Sequence, residues 1–141
     1  MRSAATDTML VDALRAGRTV RFVARGSSMW PVVRDGSTVE ATPCAAAALR
    51  AGELGVFARG AGLVVHRALG RTARGWRFAG DARFRDDGVV EDAAVLGRAR
   101  VLAAPPWYRA RPTARLLVRA LVGQLRRGVE RARGALATGH A

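Results

Sequence analysis

The feature that most constrains this fold is a series of short apolar runs, each closed by glycine or by a polar turn. Residues 19–25 alternate in the manner of a strand, with Val20, Phe22 and Ala24 on one side. Similar runs follow at residues 38–42, 53–58, 62–69, 75–79 and 94–103. Many short strands separated by glycine turns are typical of an antiparallel barrel or coiled sheet. The sequence therefore predicts a mostly β fold.

Helical patterns flank or interrupt these strands only briefly. Residues 6–16 predict a short helix, capped by Thr6 or Asp7 and ended by Gly17. The alanine-rich residues 45–51 predict a single helical turn.

A break in the chain separates the strands from a basic segment. Pro105 and Pro106 interrupt the pattern, and Pro112 precedes a predicted helix over residues 113–137. We therefore divide the chain into a domain of predicted strands, residues 1–104, and a basic amphipathic helical segment, residues 105–141.

The predicted C-terminal helix separates its side chains into two arcs. Its apolar arc consists of Leu117, Val118, Leu121, Val122, Leu125, Val129 and Leu136, and its basic arc of Arg115, Arg119, Arg126, Arg127, Arg131 and Arg133. The apolar arc fits against the sheet with the arginines in water, and it also fits an anionic membrane surface or a protein partner. The pattern leaves these alternatives open.

Charge and composition narrow the classes of function. The chain has 141 residues and a net charge of +13, carried on the basic side entirely by arginine. This positive charge is consistent with a surface that faces only water, with binding to an anionic membrane, or with binding to a nucleic acid. Cys44 is the only cysteine, and with two histidines the sequence predicts no disulfide and no metal site. No apolar stretch reaches the roughly 18 residues of a spanning helix, and no secretory signal is apparent, so we expect a cytoplasmic protein, at most peripheral to a membrane.

The candidate nucleophiles are serines, which need a neighbouring base to become reactive. Lysine is absent, which excludes a serine–lysine pair. His140 lies near the end of the sequence, where positioning is poor, whereas His66 lies within the apolar run 62–69. His66 is therefore the candidate base, with a backbone-bonded core histidine as the alternative.

Three motifs in order resemble those of the type I signal peptidase family. They are Gly26-Ser27-Ser28-Met29-Trp30-Pro31, then His66-Arg67, then Gly80-Asp81 followed by Asp86-Asp87. The pattern is most similar to the archaeal and endoplasmic-reticulum branch, in which histidine replaces the lysine base. The resemblance covers roughly residues 20–101.

The resemblance implies a role for each matched residue. Ser28, immediately before methionine, corresponds to the nucleophile, and His66 corresponds to the base. Asp87, the second aspartate of its pair, corresponds to the acid that holds the histidine. The supporting positions are Ser27, Met29, Trp30, Asp81 and Asp86. Ser27 is the rival nucleophile, and Met29 and Trp30 either line the rim of the site or pack in the core. Asp81 is expected to orient its loop by bonding turn amides.

The resemblance further implies a small antiparallel coiled-sheet barrel of the signal peptidase and SOS-repressor peptidase type. Its activity would be that of a serine endopeptidase, which cleaves a leader, signal or propeptide after small residues without a cofactor. The extended substrate would add to a strand edge. Three departures stand out. Gly26 occupies a position where this branch often has serine, and a membrane anchor is not found. Before His66, Glu53 and Leu54 stand where a Gly-Asp-Ile-like sequence is common in the family.

A non-enzymatic function is the alternative. The same fold could capture peptides without cleaving them, or it could bind nucleic acid through its positive charge. Nucleic acid is the weaker of these two, because no helix-turn-helix pattern precedes the predicted barrel and the lysine of the self-cleaving repressors is missing.

Overall fold

The fold is an antiparallel β-sheet that curls into a half-barrel and carries a helix before it and a helix after it. A computed structural model describes residues 2–105 and 121–129. The seven strands are β1 (Val20–Val23), β2 (Thr38–Pro43), β3 (Leu54–Arg59), β4 (Gly62–Thr72), β5 (Gly75–Ala79), β6 (Val89–Glu91) and β7 (Val95–Ala103). Their order across the sheet is β1-β2-β7-β3-β4-β5-β6. The prediction of a mostly antiparallel β fold is confirmed.

Sequence analysis missed strand β6. It has only three residues, Val89–Glu91, too few for a strand pattern to be recognised in the sequence. These residues form a strand because they pair with β5. The alanine-rich segment forms a short 3-10 turn at Ala46–Ala48, as expected of a single turn.

The first helix, α1 (Ala4–Arg15), begins earlier than predicted. Its cap is Ser3, whose hydroxyl accepts a hydrogen bond from the Thr6 amide at 3.2 Å, so the prediction of Thr6 or Asp7 as cap was wrong. Asp7 lies in the first turn, and its carboxylate instead binds Arg2 and the amide of Leu63. Gly17 follows the helix with a φ of 77°, in agreement with the predicted stop.

The sheet buries apolar side chains on both faces, because successive residues of a strand point in opposite directions. On β3, Leu54 and Val56 belong to the cluster that packs under α1, whereas Phe57 belongs to the opposite cluster. Phe57 stacks on Phe78 of β5, with the ring centroids 4.6 Å apart. The edge of Phe57 also meets the ring of His66 on β4.

Gly55 allows these rings to pack. It lies opposite His66 in the β3–β4 register, and a Cβ atom there would come within 2.9 Å of Phe78 Cζ and 3.1 Å of Leu49 Cδ2. The aromatic packing around His66 therefore requires glycine at this position.

We predict that Gly55→Ala lowers the free energy of unfolding by about 1–3 kcal/mol, the usual cost of overpacking a core. Gly70→Ala is the matched control, because a Cβ atom on this glycine of β4 meets open space. It should change stability by less than about 0.5 kcal/mol. Urea unfolding of both variants measures the difference. Equal stability of the two would contradict the packing argument.

Candidate active site

Ser28 lies in the turn that follows β1. Gly26 has a φ of 93°, a conformation that favours glycine, and its amide donates to the Asp35 carboxylate at 2.8 Å. The Trp30 amide donates to the Ser27 carbonyl at 3.2 Å and tightens the turn. These bonds hold the Ser28 side chain in a defined position at the end of the strand.

His66 reaches Ser28 from the middle of β4. Its Nε2 atom lies 2.9 Å from Ser28 Oγ, and its side chain is only 4% exposed. A buried imidazole needs partners for its polar atoms, and Ser28 supplies the first of them.

Asp87 supplies the second partner from the loop between β5 and β6. Its amide donates to the Phe78 carbonyl at 2.8 Å, and Gly88, with a φ of 77°, turns the chain back toward the sheet. Asp87 Oδ2 lies 2.5 Å from His66 Nδ1, and the carboxylate is 4% exposed. The structure thus brings together Ser28, His66 and Asp87.

Arg59, at the end of β3, completes the surroundings of Asp87. Its Nη2 atom lies 3.1 Å from Asp87 Oδ1. Burial opposes ionisation of this carboxyl group, but the hydrogen bond and charge of His66 and those of Arg59 outweigh burial and place the pKa of Asp87 below its ordinary value. An ionised Asp87 accepts a hydrogen bond from the Nδ1–H group of His66. Nε2 is then left as an acceptor for the Ser28 hydroxyl proton, the arrangement that activates serine.

Asp81 has a different partner from the one predicted. Its carboxylate, which is fully buried, receives two hydrogen bonds from Arg67, Nε to Oδ1 at 2.7 Å and Nη2 to Oδ2 at 2.6 Å. The expectation that Asp81 bonds turn amides was therefore wrong, because the fork of a guanidinium matches both oxygens of a carboxylate. The ion pair raises the pKa of Arg67 and ties β4 to the loop that carries Asp87.

The other supporting residues are distributed around this centre. Ser27 is exposed, and no hydrogen bond to its hydroxyl occurs among the described residues. Met29 is buried and lines the cleft beside Ser28, whereas Trp30 is buried in the core and does not line that cleft. Asp86 pairs with Arg77 and accepts from the Gly88 amide, so it does not contact His66.

The loop after β5 packs directly on the serine turn. The Ala82 amide donates to the Ser28 carbonyl at 2.9 Å, and a Cβ atom on Gly80 would approach that carbonyl oxygen to 2.6 Å. Within residues 2–105 and 121–129, no acceptor is bonded to the Ser28 amide itself. That amide can therefore stabilise an oxyanion that forms at Ser28, although Gly26 offers no hydroxyl for the purpose.

A cleft of about 210 Å³ opens beside Ser28 between strands β1 and β4. Strand β5 pairs with β4 only from Arg67 onward, so the preceding residues Leu63–His66 have a free edge on that side. Strand β1 pairs with β2 alone and has a free edge as well. The residues that line the cleft include Phe22, Ala24, Met29, Leu63, Val65 and His66.

Residues 121–129 form a helix, α2, and the rest of the predicted segment 113–137 lies outside the described residues. Arg127 donates to the carbonyl oxygens of Gly80, Asp81 and Arg83 at 3.2–3.3 Å. Gly123 permits this close approach, because a Cβ atom would lie 2.7 Å from the Arg83 carbonyl oxygen.

Several apolar side chains of α2 are exposed. Leu121, Leu125 and Val129 are 58%, 61% and 53% exposed, whereas Val122 is half-buried. The first of the three alternatives for the helix therefore does not hold for these three residues, nor for Arg127, which binds loop carbonyls rather than facing water. Contact with an anionic membrane or a partner stays a prediction.

Two arginines of the site had no role in the sequence analysis. The motif marks Arg67 only as the neighbour of His66, and no motif includes Arg59. An arginine-rich chain provides no signal that distinguishes these two from the other 22 of its 24 basic residues.

Comparisons with known proteins do not identify a family for this chain. The sequence matches no protein-family model and no curated protein. Among the described residues, no helix is long and apolar enough to cross a membrane, and no group of three histidine, cysteine or acidic side chains is arranged to hold a metal ion.

We predict that Asp81→Asn lowers the free energy of unfolding by roughly 3 kcal/mol, because it removes the charge that Arg67 faces in a buried pair. Asp86→Asn is the control, since it weakens two exposed or partly exposed contacts, the pair with Arg77 and the bond from the Gly88 amide, and should cost less than about 1 kcal/mol. Chemical denaturation of both variants provides the comparison. A loss at Asp81 no larger than that at Asp86 would mean that the Arg67 pair contributes little.

Proposed function

We propose that the protein is a serine endopeptidase of the signal peptidase type, with Ser28 as nucleophile, His66 as general base and Asp87 as the acid that orients His66. The observation that carries this proposal is the continuous pair of hydrogen bonds from Asp87 through His66 to Ser28. These residues come from three separate parts of the chain, and the Ser28–His66 distance of 2.9 Å lies within hydrogen-bond reach of a nucleophile and its base. The half-barrel sheet is consistent with the small coiled barrel expected of signal peptidases and SOS-repressor peptidases.

In the proposed reaction, Ser28 Oγ attacks the scissile carbonyl as its proton moves to His66 Nε2. The Ser28 amide donates a hydrogen bond to the oxyanion that forms. His66 then gives the proton to the leaving amine, and a water molecule, deprotonated by His66, releases the acyl group from Ser28. Asp87, held by Arg59, stabilises the imidazolium cation in both steps.

The cleft supports an extended peptide as substrate. In an antiparallel pair, backbone groups of alternate residues point to the same side. The amide and carbonyl of Leu63 bind the side chains of Asp7 and Arg2 on the unpaired side of β4. The amide and carbonyl of Val65, two residues later, therefore point to the same side. A peptide in the cleft would pair with this edge next to His66. A volume of about 210 Å³ suits small side chains at the point of cleavage, as in a leader, signal or propeptide.

We predict that Ser28→Ala abolishes both covalent labelling by a fluorophosphonate and cleavage of any peptide that the wild type cleaves. Removing the nucleophile of a serine peptidase costs about 10⁶ in rate. Ser27→Ala is the matched control, because it deletes the neighbouring hydroxyl that does not contact His66, and it should retain both activities. Mass spectrometry of the intact protein and of a peptide mixture gives both readouts. A folded wild-type protein that is never labelled would favour the non-catalytic peptide-binding or nucleic-acid-binding alternative.

We also predict that Asp87→Asn leaves the protein folded and lowers peptide turnover by about 10⁴, because asparagine donates to Nδ1 and disfavours the reactive tautomer. Asp86→Asn, at the adjacent position, should keep nearly full turnover. The two variants are compared by kcat with one cleavable peptide and by thermal midpoint. Normal turnover by Asp87→Asn would remove Asp87 from the site.

A further inference from the structure

One arginine joins the two free strand edges of the cleft. The guanidinium of Arg2 donates from Nη1 to the Val23 carbonyl at 3.0 Å and from Nη2 to the Leu63 carbonyl at 3.2 Å. Strands β1 and β4, which carry these carbonyls, are not neighbours in the sheet. The Arg2 side chain is 17% exposed, and its guanidinium lies over the ring of Phe22 at 4.7 Å.

Asp7 completes this bridge from the first turn of α1. Its Oδ1 atom accepts from Arg2 Nε at 2.6 Å, and its Oδ2 atom accepts from the Leu63 amide at 3.1 Å. The amide and carbonyl of Leu63 and the carbonyl of Val23 therefore form hydrogen bonds with side chains. An added strand would satisfy the same groups, so the Arg2–Asp7 pair occupies the place of a strand at this point.

The bridge lies close to the proposed reaction centre. Leu63 is three residues before His66, and Val65 is the next residue of β4 with backbone groups on the open side. The spacing from Val65 to Leu63 corresponds to about 6.8 Å of extended chain. A peptide that starts at Ser28 and pairs with Val65 therefore meets the Arg2–Asp7 pair after about three residues.

The acyl part of a substrate is the part that must stay bound. It remains attached to Ser28 after the amine has left, until water releases it. Strand pairing with the acyl part keeps the substrate bound during both acylation of Ser28 and release of the acyl group by water. We therefore assign the β1–β4 cleft to the residues on the acyl side of the scissile bond.

We propose that Arg2 and Asp7 limit the length of peptide that binds on the acyl side, so that residues beyond about the third gain no strand pairing. This inference rests on the proposed function, because it assumes that Ser28 is the point of attack. Arg2 is on this view a specificity-determining residue, since it competes with longer peptides for the carbonyls of Val23 and Leu63.

The test uses alanine peptides of one to five residues that end in a phosphonate diphenyl ester, which phosphonylates an activated serine with loss of phenol. We expect the rate of Ser28 labelling in the wild type to rise up to about three alanines and then to level off or fall. In Arg2→Ala it should go on rising, so that the ratio of the five-residue to the two-residue rate exceeds the wild-type ratio about tenfold, which equals 1.4 kcal/mol.

Two further variants separate the bridge from charge alone. Arg2→Lys keeps the charge but lacks the fork that reaches two carbonyls, so it should resemble Arg2→Ala. Arg15→Ala removes an exposed arginine of the last turn of α1 and should keep the wild-type length profile. Thermal midpoints verify that each variant is folded.

A second measurement distinguishes the failure of this inference from the failure of the proposed function. Acetylated alanine peptide amides of the same lengths are titrated into the wild type and Arg2→Ala, and binding is followed by NMR at the amides of Leu63 and Val65. Labelling with identical length profiles in the two proteins would overturn the inference and leave the peptidase proposal intact. Absence of labelling, with tighter binding of only the longer peptides to Arg2→Ala, would overturn the peptidase proposal and show that the Arg2–Asp7 pair limits the length of a bound peptide that is not cleaved. Absence of both labelling and binding would overturn both.

Discussion

Two side-chain contacts from consecutive residues of β4 organise this molecule. His66 binds Asp87 and Arg67 binds Asp81, and both aspartates belong to the loop that follows β5. Because neighbouring side chains of a strand point to opposite faces, the two pairs hold the loop at two different places. The position of Asp87 relative to His66, and the packing of Gly80 and Ala82 on Ser28, both depend on this attachment.

The site is rigid for reasons that lie outside the three central residues. Gly55 makes room for Phe78, which stacks on Phe57, whose edge meets His66. Behind the loop, Arg127 of α2 binds carbonyl oxygens of Gly80, Asp81 and Arg83. A chain poor in aromatic residues thus concentrates several of them, and several of its arginines, around one short loop. Fixed geometry of this kind is what an activated serine requires.

The open side of the half-barrel gives the site its access. Strand β5 leaves β4 unpaired next to His66, and the Arg2–Asp7 pair closes the cleft a few residues further on. The unpaired edge of β4 is thus accessible at Val65, beside His66, and is covered at Leu63 by the Arg2–Asp7 pair. Without this cover, Leu63 could pair with a strand of another chain. Edge strands of soluble sheets are commonly protected by charged side chains, and here the protection also defines the length of the cleft.

The sequence by itself determined the class of fold and the candidate residues for the site. Alternating runs between glycines predict antiparallel strands, and the absence of lysine leaves His66 as the candidate base for a serine. Tertiary structure alone decided which arginine each aspartate of the site meets. Asp81 binds Arg67 and not turn amides, Arg59 binds Asp87, and the strand β6 exists only through its pairing with β5. The physical reason is that hydrophobic periodicity is a local property of the chain, whereas an ion pair or a strand pairing joins residues far apart in sequence, and in a chain with 24 arginines the sequence does not specify which one a carboxylate will meet.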